Sequence, residues 1–119
     1  MRYLKMEKIC FEELEELVVK IYKETGIVVS FVEDVSKLVI DGTGSLDSEK
    51  AAKIAEVLKA EGYKEFALAD SSSGLMDELF AFTEAGCEIS GTVKFNQVRK
   101  YGNCMIWSKE IKAIMLKIK

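Results

Sequence analysis

The succession of elements in residues 38–70, LVIDGTGSLDSEKAAKIAEVLKAEGYKEFALAD, constrains the fold most strongly. A β-branched run leads into a Gly-x-Gly turn, a helical pattern follows, and a second short strand comes after it. We expect the helix at about residues 46–61, capped by Ser45 or Asp47 and ended by Gly62. Its buried stripe is predicted to be Ala51, Ile54, Ala55 and Leu58. The chain therefore mixes helices and strands.

The same stretch raises the question of nucleotide binding. Gly42 and Gly44 match the first two glycines of a dinucleotide fingerprint, and Asp70 ends the next strand in the ribose-binding style. The third glycine position is Asp47, whose side chain hinders close packing and whose charge repels phosphate. The strand before the glycines also reads as the second arm of a hairpin, whereas the fingerprint needs a parallel βαβ unit. We therefore interpret the stretch as a turn.

Two further helices are predicted at the ends of the chain. Residues 11–25 carry apolar side chains at helical spacing, with glutamates early, lysines late and Gly26 just beyond. Residues 108–119, SKEIKAIMLKIK, begin with a capping Ser108. Their apolar residues follow the i, i+3, i+4, i+7 pattern: Ile111, Ile114, Met115 and Ile118.

The remaining segments predict strands. Residues 27–42 read as a first hairpin, and residues 63–69 as a short strand. Residues 75–84 fit either a helix or a strand. Phe80 and Phe82 fall on one face of a strand, and the alternating CEISGTVKF follows, so we favour a β-meander. A last hairpin is expected through KYGN, where Gly102 and Asn103 can adopt positive φ.

Together these elements predict one α+β domain over residues 1–119, with the order α-β-β-α-β-β-β-β-α. Hairpins imply antiparallel pairing, so we expect an antiparallel sheet of about five or six strands flanked by three helices. A roadblock-type, profilin-like or PAS-like layout would fit this order by analogy. Such an analogy carries no function.

The absence of histidine removes serine triads, Cys-His dyads and imidazole metal sites. Three cysteines without C-x-x-C spacing argue against a disulfide framework or a thiolate zinc site, so we expect reduced thiols. No catalytic constellation, metal or cofactor is predicted. No apolar run approaches the roughly 20 residues of a membrane span, and the glutamates after the N-terminus do not suit a secretory signal. We expect a cytoplasmic protein.

Charge is distributed very unevenly along the chain. Residues 1–93 carry 10 Lys or Arg against 19 Asp or Glu, a net of −9, and residues 94–119 carry 7 against 1, a net of +6. In the basic part, cations alternate with aromatic and amide side chains, a pattern that can hold a phosphate-bearing ligand or single-stranded nucleic acid. The candidate binding residues are Lys94, Asn96, Arg99, Lys100, Tyr101 and Trp107. Overall acidity argues against nucleic acid.

A second candidate is the loop with Ser71, Ser72, Ser73 and Gly74, whose hydroxyls and amides could hold an anion. The same residue types are standard turn formers, which is the reading we favour.

These features predict a non-enzymatic module that acts through protein–protein association or self-association, in the style of adaptor, immunity or phage-type inhibitor proteins. The alternative is a sensor or sequestering protein for a phosphate-bearing small molecule or nucleotide, contacted by the basic C-terminal hairpin.

Overall fold

The computed structural model describes residues 9–33, 35–101 and 105–119, with all of their side chains except those of residues 98–101 and 105–107. The described residues form an α+β structure with three helices and five strands. In chain order these are α1 (Phe11–Thr25), β1 (Ser30–Phe31), β2 (Val39–Gly42), α2 (Ser48–Ala60), β3 (Glu65–Ala69), α3 (Leu75–Glu84), β4 (Glu88–Tyr101) and β5 (Met105–Lys117). The α+β class is confirmed.

The strands form one mixed sheet with the order β1-β2-β3-β5-β4. The pair β2 and β3 is parallel and is connected by α2, whereas the other neighbouring pairs are antiparallel. The prediction of an antiparallel sheet is therefore wrong, as is the six-strand order on which the roadblock, profilin and PAS analogies rested. The first hairpin is confirmed, but β2 is also the first strand of a parallel βαβ unit, which the sequence interpretation rejected.

The first two helices lie where the sequence places them, with the expected signals at their ends. Gly26 follows α1 with a φ of 75°, and its N–H donates to the carbonyl of Tyr22 at 2.8 Å. At the start of α2, the Asp47 carboxylate accepts from the Lys50 N–H at 2.8 Å. All four predicted stripe residues of α2 are buried.

Residues 75–84 are helix and not part of a β-meander. The strand interpretation placed Phe80 and Phe82 on one face, but Phe82 is fully buried and Phe80 is 61% exposed. The segment is rich in good helix formers, and Asp77 and Glu78 in its first turn suit the helix dipole.

Residues 108–119 are not a helix, because residues 105–117 form β5. This strand lies between β3 and β4. Ala113 and Met115 pack on one face of the sheet and Leu116 on the other. A strand buried on both faces has a nearly continuous apolar run, and periodicity alone does not distinguish such a run from a helix. The predicted turn at Gly102 and Asn103 lies outside the described residues.

The main core lies between the three helices and one face of the sheet. Phe66 of β3 and Phe82 of α3 meet there edge to face, with ring centroids 4.8 Å apart. A smaller cluster, which includes Val35, Val39, Ala69 and Met115, lies on the opposite face. No helix in the described part of the chain is long and apolar enough to cross a membrane.

Candidate functional site

The two long strands at one side of the sheet extend far beyond their neighbours. Strands β4 and β5 pair from Glu88 and Lys117 to Tyr101 and Met105. In contrast, β3 pairs with β5 only over residues 113–117. Residues 94–101 and 105–112 therefore form a two-stranded projection, here called the ribbon. At about 3.3 Å per residue, its eight residues per strand span roughly 26 Å.

Strand β4 is an edge strand along its whole length. It pairs with β5 on one side, and no other described segment pairs with it. Its register shifts between Ile89 and Gly91, and Ile89 is half exposed. An edge strand presents a row of unpaired N–H and C=O groups, which another extended chain can bind.

The two faces of the ribbon differ in character. On one face, Lys94 lies directly opposite Lys112, and Asn96 lies opposite Glu110. On the other face, Phe95 lies opposite Ile111 and packs against the smaller hydrophobic cluster. Lys109, opposite Gln97, also lies on this second face. The ribbon therefore carries lysines on both faces, and the second face is partly apolar at its base.

One buried amide fixes the base of the ribbon to the far side of the sheet. The side-chain amide of Gln97, a buried residue, donates to the backbone carbonyl of Glu33. Because Glu33 lies just after β1, this hydrogen bond connects the ribbon to the loop between β1 and β2. The lower part of the ribbon is thus held in a fixed orientation.

The described cations of the ribbon are exposed and have no acidic partner among the described residues. Within the described residues, Lys94, Lys109 and Lys112 form no ion pair. Like charges directly opposite each other on neighbouring strands are destabilising. Lys94 and Lys112 also line an open cleft of about 480 Å³ beside Asp70, at the point where β3 ends. The two ammonium groups form no ion pair within the described residues, and Asp70 lines the same cleft.

The structure brings together some of the predicted binding residues. Lys94 and Asn96 are exposed on the same face of β4. The other four predicted residues have their backbone in the ribbon, where Arg99 pairs with Trp107. The structure does not describe the side chains of these four residues: Arg99, Lys100, Tyr101 and Trp107.

The serine loop has carboxylates as its nearest partners. The Ser71 hydroxyl donates to the Asp41 carboxylate at 2.8 Å, and the Ser72 hydroxyl lies 3.0 and 3.1 Å from the two carboxylate oxygens of Glu78. Ser73 is exposed, and Gly74 immediately precedes α3. An anion in this loop would have to displace two carboxylates from the hydroxyls, so the geometry favours a structural turn.

Glu78 is the polar residue that the sequence interpretation missed. Its side chain is 1% exposed, and Oε2 accepts from the Thr43 N–H at 3.1 Å and the Thr43 hydroxyl at 2.9 Å. With Ser72, these contacts join α3 to the loops after the parallel strands β2 and β3. A buried carboxylate is tolerated when several donors satisfy it. The only sequence signal was an acidic residue in a first helical turn.

A second surface lies at the opposite side of the sheet, between α1 and β1. This groove has a volume of about 300 Å³. Leu14 is buried, and Phe11 and Val19 are 55% and 50% exposed. Glu15 also lines it, and neither Glu15 nor the neighbouring Glu12 forms a hydrogen bond or ion pair within the described residues. The groove is apolar with an acidic rim.

Two described side chains, Cys87 and Tyr63, have pKa values that burial raises. Burial raises the pKa of the Cys87 thiol, which disfavours its nucleophilic form. Burial, followed by a hydrogen bond to Glu13, raises the pKa of Tyr63 to about 12. No group of three or more Cys, Asp or Glu side chains in the described part is arranged to hold a metal.

The sequence of the chain matches the model of a protein family. Residues 31–118 match the family described as "Domain of unknown function (DUF7698)". The chain belongs to this family. The DUF7698 match runs from the second residue of β1 to the residue after β5, so it contains the ribbon but not α1. No curated protein and no solved structure matches the chain.

Proposed function

We propose that this DUF7698 domain is a non-enzymatic binding module of the cytoplasm that acts through protein–protein association, and that its binding surface is the ribbon. The open edge of β4 is the observation that carries the proposal. Its unpaired backbone groups can hydrogen-bond to an extended segment of a partner, as in other cases of strand addition.

The charge of the ribbon indicates which kind of partner would bind. Lys94, Lys109 and Lys112 are exposed and unpaired within the described residues, and the sequence adds Arg99 and Lys100 to the same strands. Cations on both faces of the ribbon discriminate against basic segments and accelerate the approach of acidic ones. We therefore propose an acidic, extended protein segment as the occupant of β4.

Site-specific photo-crosslinking in the native host tests this proposal. A photo-crosslinking amino acid replaces Asn96, which is exposed on β4, and the control carries it at Lys59, which is exposed on α2. We expect crosslinks from position 96 to a discrete protein, mapped to an acidic segment and lost in the Lys94→Glu, Lys112→Glu variant. In the purified complex, backbone amides of β4 should gain protection from hydrogen exchange. Equal crosslinking from both positions, or crosslinks to nucleic acid, would overturn the proposal.

The Lys94–Lys112 pair favours a second candidate, a sensor for a phosphate-bearing small molecule. Two ammonium groups directly opposite each other at one cleft can both contact a polyphosphate. Inorganic triphosphate and nucleoside triphosphates should then raise the melting temperature in proportion to RT ln(1 + [L]/Kd). Lys94→Ala, Lys112→Ala should abolish the rise and Lys59→Ala should keep it. An unchanged melting temperature in the parent protein would exclude this function for these ligands.

A further inference from the structure

We infer that a small pocket on the face of the sheet opposite the three helices binds a zwitterion of the amino-acid class. The pocket has a volume of about 190 Å³, and most of its lining side chains are polar. This inference goes beyond the proposed function, because the pocket lies on a face of the sheet, whereas the proposed partner pairs with the edge of β4. The ligand must be small, since pockets for drug-sized molecules measure about 300–1,000 Å³.

Segments that are distant in sequence form this pocket. Asp41 follows Val39 by two residues, so strand alternation places both on the face with the smaller hydrophobic cluster. Ser71 comes from the loop after β3, and the base of the ribbon contributes the directly opposite pair Gln97 and Lys109. The pocket therefore lies beside the carboxyl ends of the parallel strands β2 and β3, which is where open α/β sheets bind their ligands.

The pocket brings together opposite charges that form no ion pair with each other. Lys109 has no ion pair within the described residues, and the Asp41 carboxylate accepts a hydrogen bond from the Ser71 hydroxyl at 2.8 Å. Glu33 adds a second carboxylate to the lining. A simple anion would be repelled by these carboxylates, and a simple cation by the Lys109 ammonium. A ligand that carries both charges can be attracted by both kinds of group.

A buried amide oxygen is the observation that points most directly to a ligand. Gln97 lines the pocket, is 6% exposed, and donates from its side-chain nitrogen to the backbone carbonyl of Glu33. Because a carbonyl can only accept, the nitrogen must face Glu33, which leaves Oε1 as the other polar atom of the amide. No described donor forms a hydrogen bond to Oε1. A buried acceptor without a donor is unfavourable, and an ammonium group in the pocket satisfies it.

These groups assign the two ends of the ligand. The Lys109 ammonium pairs with the ligand carboxylate, and Asp41 together with Oε1 of Gln97 accepts hydrogen bonds from the ligand ammonium. The hydrogen bond from Ser71 holds the Asp41 carboxylate in place. Ile111, which is buried, gives the pocket an apolar wall for the carbon atoms of the ligand. The small volume favours amino acids with short side chains.

NMR titration of the isotopically labelled protein tests this inference. The probes are glycine, alanine and serine, and the matched controls are propionate and ethylamine, each of which carries only one of the two charges. We expect at least one of the amino acids to shift the side-chain amide resonances of Gln97 saturably, and neither control to do so at the same concentration. These resonances report on the pocket itself, because Gln97 lines it.

Single substitutions then test the assignment of the two charges. Lys109→Gln and Asp41→Asn should each weaken binding of the amino acid by about tenfold or more, the effect of losing a hydrogen bond to a charged group. Lys59→Gln and Asp77→Asn, at exposed positions on α2 and α3, should leave the affinity unchanged. The melting temperature of each variant establishes that it is folded. The inference is overturned if none of the three amino acids binds, if propionate or ethylamine binds equally well, or if either folded pocket variant keeps full affinity.

Discussion

At the scale of single residues, the Glu78 carboxylate is the clearest case of a polar contact that holds the fold together. It receives hydrogen bonds from Thr43 and Ser72, which belong to two different loops. Removing a buried acceptor leaves its donors without partners, and the cost is the desolvation of those donors. The contact spans 35 residues of sequence from Thr43, so no local pattern indicated it.

Substitution of this residue has a predictable cost. We expect Glu78→Gln to lower the free energy of unfolding by about 1–3 kcal/mol, since an amide presents one acceptor where the carboxylate presents two. Urea unfolding followed by circular dichroism measures the change. The neighbouring Asp77→Asn is the control, because Asp77 is exposed and its substitution should stay within about 0.5 kcal/mol. Equal effects of the two substitutions would contradict the role of Glu78.

Tyr63 gives a prediction for high pH. Its hydroxyl donates to Glu13 at 3.0 Å, and burial together with this contact raises its pKa to about 12. Because the folded pKa lies above the ordinary tyrosine value of 10.0, the contribution of this hydroxyl to stability is complete below pH 10 and is lost as pH rises towards 12. Ultraviolet titration should show a tyrosine with this late transition that disappears in Tyr63→Phe. In Glu13→Gln the transition should move to lower pH; an unchanged titration would contradict this contact.

At the scale of elements, local signals sufficed where a segment determines its own structure. The caps at Gly26 and Asp47 and the buried stripe of α2 are all present in the sequence, and both helices lie as predicted. The sequence interpretation was wrong for α3 and β5, where the choice between helix and strand depends on packing against residues that are distant in sequence. Short apolar runs fit either structure, and packing against the rest of the sheet selects one of them.

The helical structure of residues 75–84 can be tested with two phenylalanines. We expect Phe82→Ala to lower the free energy of unfolding by about 3–5 kcal/mol, because Phe82 is fully buried against Phe66. Phe80→Ala should change it by less than about 0.5 kcal/mol, because the side chain is 61% exposed. Chemical denaturation of both variants measures the two changes in the free energy of unfolding. Similar large losses would instead support the strand interpretation, in which both rings share one face.

The strand structure of residues 105–117 has an equally direct test. In a helix with the stripe Ile111, Ile114 and Met115, position 113 would face outward, whereas in β5 Ala113 is buried. Ala113→Glu should therefore destabilise the protein by about 3–5 kcal/mol, the cost of an uncompensated buried charge. Lys112→Glu is the matched control at an exposed position, and it should be nearly neutral or slightly stabilising beside Lys94. A tolerated Ala113→Glu would be incompatible with β5.

At the scale of the whole molecule, the sheet is asymmetric. Strand β3 has neighbours on both sides and residues in both hydrophobic clusters, whereas β4 has one neighbour and extends into the ribbon. The sequence did predict the separation of charge that accompanies this shape, because the two charged parts lie in separate stretches of chain. It did not predict that Gln97 of the basic part reaches the loop after β1, since that contact depends on the tertiary packing of the ribbon.

Hydrogen exchange should reproduce this asymmetry. We expect the backbone amides of β3 to exchange slowest in the protein, with rates governed by global unfolding, and the outward amides of β4 to exchange fastest among the strands. Hydrogen exchange measured by NMR or by mass spectrometry on the dilute protein gives the order of exchange rates among the strands. Uniform protection along β4 under those conditions would mean that its edge is already covered.

The position of β5 also bears on how the chain folds during translation. β5 follows β4 in the chain but lies between β3 and β4 in the sheet. Until residues 105–117 leave the ribosome, β3 and β4 both lack the strand β5 that pairs with them among the described residues. The nascent chain therefore carries a long unpaired strand, exposed to proteases and to aggregation. Insertion of β5 then closes both ladders in one late step, which makes chaperone protection of the preceding segment valuable during synthesis.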